Sequence, residues 1–315
     1  MRVCSLFSGI GGIDLGFQQA GFDIVWANEF DHDAAITYHV NFGDKHLVEK
    51  DIRQVNPHDI PEFDVLVAGF PCQPFSIVGR QKGFDDPRGN LFFEISRIVD
   101  VKRPKVIFLE NVANLMQHDN GKTFLVIYNT LAQLGYAVRY KVLDSQEYGN
   151  IPQRRKRIYI VAFLDYEQCE RFSFPEPIER TIQLNDILDR RVKHDDIYYY
   201  NASSSYYEEM LKKVTDKCSI HIIIDQGVSK KYNIAQTLIA NMGTYPDRVP
   251  IIKDDFGIRK ITPLECLALQ GFPKDFMFKG ISLNSAYKQC GNSVVVPVIR
   301  RIAEKIKESF NNKEE

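Results

Sequence analysis

Over residues 1 to about 165 the apolar positions follow two alternating rhythms. Short runs dense in Val, Ile, Leu and Phe occur at Val3–Phe7, Ile24–Ala27, Leu47–Glu49, Phe63–Ala68, Val106–Leu109, Val138–Leu143 and Arg157–Phe163. Runs of this kind read as buried strands. Between them, Ile13–Ala20, Ala34–Asn41, Leu91–Asp100 and Thr123–Leu134 repeat apolar residues at helical spacing. The alternation predicts an α/β fold built on a doubly wound, mostly parallel sheet. The last two strands are joined by a short loop without a helix, which predicts an antiparallel hairpin at the sheet edge.

After Phe163 the rhythm fades. Phe174-Pro175-Glu176-Pro177 reads as a linker. Residues 178–258 carry less regular periodicity and more Tyr, Asp and Lys, and are expected to form a second, smaller domain. From Val294 to Ser309 helical spacing returns, with Val295, Val298, Ile299, Ile302 and Ile306 on one face. The tail from Asn311 is polar.

Composition narrows the class more than the chemistry. The chain has 315 residues, 44% of them hydrophobic, enough for one large domain or two unequal ones. A net charge of −1 does not by itself predict an anionic partner; local basic patches decide that. The cysteines (Cys4, Cys72, Cys169, Cys218, Cys266, Cys290) form no CxxC pair, and the histidines form no HxxxH pattern. No metal is therefore expected. The start shows no signal-peptide pattern, and no apolar run approaches the ~20 residues of a membrane span. A reduced, cytoplasmic protein without membrane contact is the expectation.

Ligands of open α/β sheets bind beyond the carboxyl ends of the strands, so the residues there come first. Strand one leads into Phe7-Ser8-Gly9-Ile10-Gly11-Gly12, strand two into Asn28-Glu29 and strand three into Asp51-Ile52. Strand four leads into Pro71-Cys72 and strand five into Glu110-Asn111-Val112. The Gly9-x-Gly11 turn lets a ligand approach the backbone, but a dinucleotide fingerprint would place its third glycine where Asp14 stands. A nucleoside without phosphates fits better. Glu29 can accept from two ribose hydroxyls, Asp51 from an adenine amine, and Phe7 can stack on the base.

Cys72 stands between Pro71 and Pro74 just past a strand, on a stiff segment with few amide donors. Glu110, closing the run Val106–Leu109, is expected to be partly buried, which raises a carboxyl's pKa and suits it to give a proton. A thiol nucleophile facing such an acid beside an adenosine pocket points to covalent catalysis on a heterocycle. In Gln153-Arg154-Arg155-Lys156-Arg157, strand alternation would set Arg155 and Arg157 on one face, toward the same rim.

Together these segments resemble the cytosine-C5 DNA methyltransferases of bacterial restriction–modification type. The matching motifs keep the family's order from Phe7-Ser8-Gly9-Ile10-Gly11-Gly12 onward. They continue through Gly69-Phe70-Pro71-Cys72-Gln73-Pro74-Phe75-Ser76, Arg88-Gly89-Asn90-Leu91-Phe92, Glu110-Asn111-Val112 and Gln153–Arg157. Arg259–Cys266 and Gln289-Cys290-Gly291-Asn292-Ser293-Val294-Val295 complete the set. The resemblance implies S-adenosylmethionine as methyl donor, with Phe7, Gly9, Gly11, Gly12, Glu29, Phe30, Asp51, Ile52, Pro71 and Leu91 around it. Asn292, Ser293 and Val294 would close the pocket. Phe30 replaces a tryptophan of some relatives, and Val78 a small polar residue.

The resemblance further implies a first domain of residues 1–177, catalytic and donor-binding, completed by 289–315. Residues 178–258 would be a target-recognition domain and 259–288 a connecting segment. Cys72 would add to cytosine C6 while Glu110 holds N3, Arg155 steadies the O2 side and Arg157 orients neighbouring side chains. A stacked base cannot be reached in this way, so it would be flipped out of double-stranded DNA. Ser76, Arg80, Lys82 and Arg88 are expected to touch the DNA, as are Arg190, Arg191, Lys230 and Lys231. Thr237, Asn241, Thr244 and Arg248 are candidates for reading base edges. A monomer is expected, with a cognate restriction endonuclease acting on the same site without a stable complex. An RNA (tRNA) cytosine methyltransferase, a nicotinamide-dependent dehydrogenase and a catalytically silent DNA-binding module are the alternatives.

Overall fold

The computed structural model describes residues 1–44, 46–71, 91–188, 191–201, 207, 234–242 and 249–311. Seven strands form one sheet: β1 Arg2–Leu6, β2 Asp23–Glu29, β3 Leu47–Glu49, β4 Val65–Gly69, β5 Val106–Val112, β6 Ala137–Asp144 and β7 Lys156–Phe163. Their spatial order is β3-β2-β1-β4-β5-β7-β6. The pairs β1/β2, β2/β3, β1/β4 and β4/β5 are parallel, while β5/β7 is antiparallel. The chain winds outward from β1 in one direction and from β4 in the other, so the crevice above these two strands is the switch point where such sheets bind ligands.

The central strands explain themselves. Val65–Ala68 and Val106–Leu109 are fully buried on both faces, as continuous apolar runs in a helix-covered parallel sheet must be. Helix α1 (Gly12–Gln19) sets Phe17 edge-on against Phe108, with ring centroids 5.3 Å apart. The C-terminal helix, Val296–Ser309, buries Val298, Ile299, Ile302 and Ile306. A β-carbon at Gly16 would lie 2.6 Å from the Ile299 side chain, so these helices approach closely. Helix α2 (His32–Phe42) is capped by Asp31, which accepts from the Ala34 amide at 3.2 Å. Helices α3 (Leu91–Lys102) and α4 (Lys122–Gln133) add Phe92, Ile95, Ile98, Ile127 and Leu131 to the core.

Two expectations are corrected. The connection between β6 and β7 contains a helical turn, Ser145–Tyr148, capped by Asp144. The two strands are neighbours at the sheet edge, as expected, with β7 next to β5 and β6 outermost. The physical reason lies in burial: Ile158–Phe163 of β7 are buried throughout, whereas β6 exposes Arg139 and Tyr140. Glu110 also lies within β5 rather than past its end.

The described chain divides into two compact units. One comprises Met1–Leu143, Lys156–Glu176 and Val298–Glu315; the other comprises Asp144–Arg155 and Pro177–Pro297. The second unit is built around a two-stranded hairpin, Ile251–Lys253 with Ile258–Lys260, and two helices, Pro263–Ala268 and Leu283–Asn292. Arg259, fully buried, donates to Asp254 (2.7 Å) and to both oxygens of Glu265 (2.8 Å each). The hairpin and the first of these helices are thus tied by a hydrogen-bonded ionic cluster.

Candidate active site

The turn after β1 carries the first candidates. Phe7 has a φ of 54°, a left-handed conformation that a bulky residue seldom adopts without local constraint. Gly11 has a φ of 82°, and a β-carbon there would lie 2.3 Å from the Phe42 ring, so glycine is required on both counts. The space before Gly9 is open: a β-carbon would meet nothing within 4 Å. The Gly9 amide donates to Glu29 Oε2 at 2.8 Å, and the amides of Phe30 and Asp31 donate to Oε1 at 2.7 Å each. Glu29 thereby ties the turns after β1 and β2 together. Phe30 turns its ring outward, 71% exposed.

Beyond β3, Asp51 caps the turn Ile52–Gln54 and accepts from Arg53, from the amide at 3.0 Å and from Nε at 2.9 and 3.0 Å. These hydrogen bonds hold its carboxyl below the usual carboxylate range. Ile52 is buried, and its carbonyl accepts from Arg97 Nη2 at 3.0 Å. Leu91 opens α3, packed against the core, and Pro71 lies exposed at the exit of β4. Carboxylate acceptors, aromatic faces and open space over a glycine turn are what the hydroxyls and base of a nucleoside need. The set fits S-adenosylmethionine.

The second group sits where β4 leaves the sheet. Glu110 lies opposite Gly69 in register, and Glu110 Oε2 would be 3.6 Å from a β-carbon on that glycine. Glu110 is buried, with Arg157 Nε 3.1 Å from its Oε1. The guanidinium supplies a charge that opposes the cost of burying the carboxylate. Asn111, also buried, donates from Nδ2 to the Phe70 carbonyl at 2.8 Å. It pins the main chain two residues before Cys72. Cys72, Ser76, Arg80, Lys82 and Arg88 lie outside the described residues.

A model of the C-5 cytosine-specific DNA methylases matches residues 1–308. The chain belongs to this family. It is 49% identical to the type II methyltransferase M.Bsp6I of Bacillus sp. (strain RFL6), over 98% of this chain and 99% of that one. It is 41% identical to the type II methyltransferase M.HhaI of Haemophilus parahaemolyticus, over 99% and 96%. The fold is shared with solved structures of DNMT2 from Spodoptera frugiperda (TM-score 0.75, 23% identity, 98% and 99% coverage) and S. pombe (0.76, 21%, 99% and 100%). A methylase of this family uses a methyl donor, and the acceptor-lined turn above is where this chain can hold one. Among the described residues no helix is long and apolar enough to cross a membrane.

The two arginines of the Gln153–Arg157 run take different surroundings, against the expectation that both face one rim. Arg155 precedes β7, so strand alternation does not reach it. It is buried in the second unit and donates to the carbonyls of Leu238 (2.7 Å), Gly291 (3.1 Å) and Ser293 (2.5 Å). Its guanidinium is thus given to the backbone on which Asn292, Ser293 and Val294 sit. Ser293 and Val294 are buried and Asn292 is exposed. Thr237 donates its hydroxyl to the Arg154 carbonyl at 2.8 Å, while Asn241 and Arg191 are exposed. Arg190, Lys230, Lys231, Thr244 and Arg248 lie outside the described residues, as does Val78.

Several contributors escape a reading of the sequence. Asn111, Arg97 and Arg53 act through partners that are known only once the chain is folded. Arg259 and Glu265 stand in one of the matching motifs and Thr262-x-x-Glu265 has the form of a capping box, but nothing local joins either to Asp254.

Proposed function

We propose that this methylase transfers a methyl group to C5 of cytosine within a short, specific sequence of double-stranded DNA, in the cytoplasm. Its modification would protect that DNA from a cognate endonuclease. The observation that carries the mechanism is the buried Glu110 carboxylate paired with the half-buried Arg157, beside the strand exit that leads to Cys72. Cytosine C5 is a poor nucleophile. Addition of the Cys72 thiolate to C6 breaks the ring's conjugation and places electron density at C5. Glu110 hydrogen-bonds or protonates N3, which stabilises the adduct. Loss of the C5 proton and departure of Cys72 restore the ring. When bound, S-adenosylmethionine supplies an electrophilic methyl group on a sulfonium. Phe7, Glu29, Phe30, Asp51 and Ile52 would hold it.

In this reading the two arginines exchange the roles expected from sequence. Arg157, beside Glu110, is the residue we assign to the O2 edge of the base. Arg155 is a positioning residue for the Gly291–Ser293 backbone. Residues 178–258 are the target-recognition region in this reading, and the base is flipped out, at a cost of about a few kcal/mol in lost stacking and pairing. The test is bisulfite sequencing of a plasmid encoding this chain, grown in a host without cytosine methylation, beside a Cys72→Ala control. Protected cytosines in one recurring context, lost in the control, are expected. Methyl incorporation into transfer RNA with none into plasmid DNA would overturn the assignment to DNA.

A further inference from the structure

The chemistry above has no use for Asp14, yet this acid is fully enclosed behind the donor turn. In sequence it marks only the missing third glycine of a dinucleotide fingerprint. In the fold its carboxylate accepts from Ser5 Oγ of β1 at 2.5 Å and from the Tyr38 hydroxyl of α2 at 2.7 Å. Each contact opens a path to the same turn. Ser5 Oγ accepts from Ser8 Oγ at 3.1 Å, and Ser8 is bonded through its amide to Asn28 O (2.9 Å) and through its carbonyl to the Gly11 amide (2.8 Å). Asn28 in turn donates from Nδ2 to the carbonyls of Val48 (3.0 Å) and Lys50 (2.7 Å), just before Asp51. On the other side the Tyr38 ring stacks on Phe42 at 4.6 Å, and Phe42 fills the space beside Gly11.

We propose that Asp14 is a positioning residue for the methyl-donor pocket, acting through Ser5 and Ser8 and through Tyr38 and Phe42 on the Phe7–Gly12 turn. The inference rests on the reading of that turn as the donor site. An ionised carboxylate can only accept. Ser5 must therefore donate to it and is left to accept from Ser8, so the direction of the relay is set. A protonated Asp14 becomes a donor. Ser5 or Tyr38 must then turn, and Ser8 falls back on the carbonyls of Ser5 (3.4 Å) and Asn28 (3.2 Å). The titratable groups facing Asp14 are Tyr38 and the Cys4 thiol of β1, the latter also influenced by Lys102. Lys307 of the C-terminal helix is spent on the Ala20 carbonyl, and among the described residues no cation pairs with Asp14. Burial therefore raises its carboxyl to about 6, within reach of physiological acidification.

The test is calorimetric titration of S-adenosylmethionine into the full chain without DNA, at pH 5.5, 7 and 8. Wild-type affinity is expected to fall by about fivefold or more from pH 8 to pH 5.5, a typical coupling between two linked equilibria. Asp14→Asn, whose amide can both donate and accept, is expected to bind about fivefold more weakly at pH 8 and to show no further loss at pH 5.5. Its steady-state defect should lie in KM for the donor, with kcat kept. A second variant, Tyr38→Phe, keeps the stack on Phe42 and removes one donor to the carboxylate. Its affinity midpoint is expected to move to higher pH. Wild-type binding with Asp14→Asn tracking it at every pH would overturn the proposal alone, as would an unmoved midpoint in Tyr38→Phe. A wild-type chain that binds no donor at any pH would overturn the pocket assignment and this inference with it.

Discussion

Replacing Arg155 by methionine separates the two arginine roles. Methionine retains an apolar stem of similar length but removes the donors to the carbonyls of Leu238, Gly291 and Ser293. A hydrogen bond to a charged group contributes about 1.5–3 kcal/mol, and stranding a buried acceptor costs about 1–3 kcal/mol. Local relaxation will recover part of this, which leaves a loss of about 4 kcal/mol. For a unit of this size that corresponds to roughly 8–16 °C in Tm. The assay is a thermal melt beside methylation kinetics at a temperature where the variant is fully folded. There Arg155→Met is expected to keep kcat within about tenfold, because the guanidinium serves the backbone of its own unit. Arg157→Met, which strips Glu110 of its ion pair, is expected to lose kcat by more than about 100-fold at every temperature. An Arg155→Met protein that melts like wild type but has no turnover would refute the reasoning. It would mean that the guanidinium serves the base and not the backbone.

Three further outcomes follow from the geometry. Gly291→Ala should destabilise by about 2 kcal/mol although alanine is the better helix former by about 1 kcal/mol, since its β-carbon would lie 2.2 Å from the Ile239 carbonyl carbon and oxygen; a denaturant midpoint at or above wild type would contradict this. Arg259→Met should cost about 3–5 kcal/mol by leaving Asp254 and Glu265 as uncompensated buried acids, read as an early unfolding transition that Arg259→Lys only partly restores. Asp14 makes stability pH-dependent in the less common sense. Its folded-state value of about 6 lies above the ordinary 3.8, so the folded protein binds the proton more tightly. Its contribution to stability therefore falls as pH rises from about 4 to about 6, by about 3 kcal/mol in total, and levels off above that. Urea midpoints at pH 4.5 and pH 7 should show that dependence reduced in Asp14→Asn by comparison with wild type. Parallel pH profiles would argue against it.

How far the sequence carries the structure is seen in particular residues. The apolar runs at Val65–Ala68 and Val106–Leu109 specify central parallel strands by themselves, because only a strand covered on both faces needs no polar alternation. The Phe7–Gly12 turn, and the acids that close β2 and follow β3, are legible for the same local reason: backbone permissiveness and strand termination are properties of a few consecutive residues. The family's motifs, read in order, carried the chemistry with them. Tertiary structure alone decided the rest. Arg155 and Arg157 are two residues apart and chemically identical, yet one meets carbonyls 83 and 138 positions away and the other meets Glu110. The insertion of β7 beside β5 turned on which strand could bury both faces. Asp14 read as a missing glycine until Ser5 and Tyr38, from a strand and a helix on either side of it, closed around its carboxylate. A side chain's conformation follows from its neighbours in sequence, but its partner and protonation state follow from its neighbours in space, which the chain acquires only on folding.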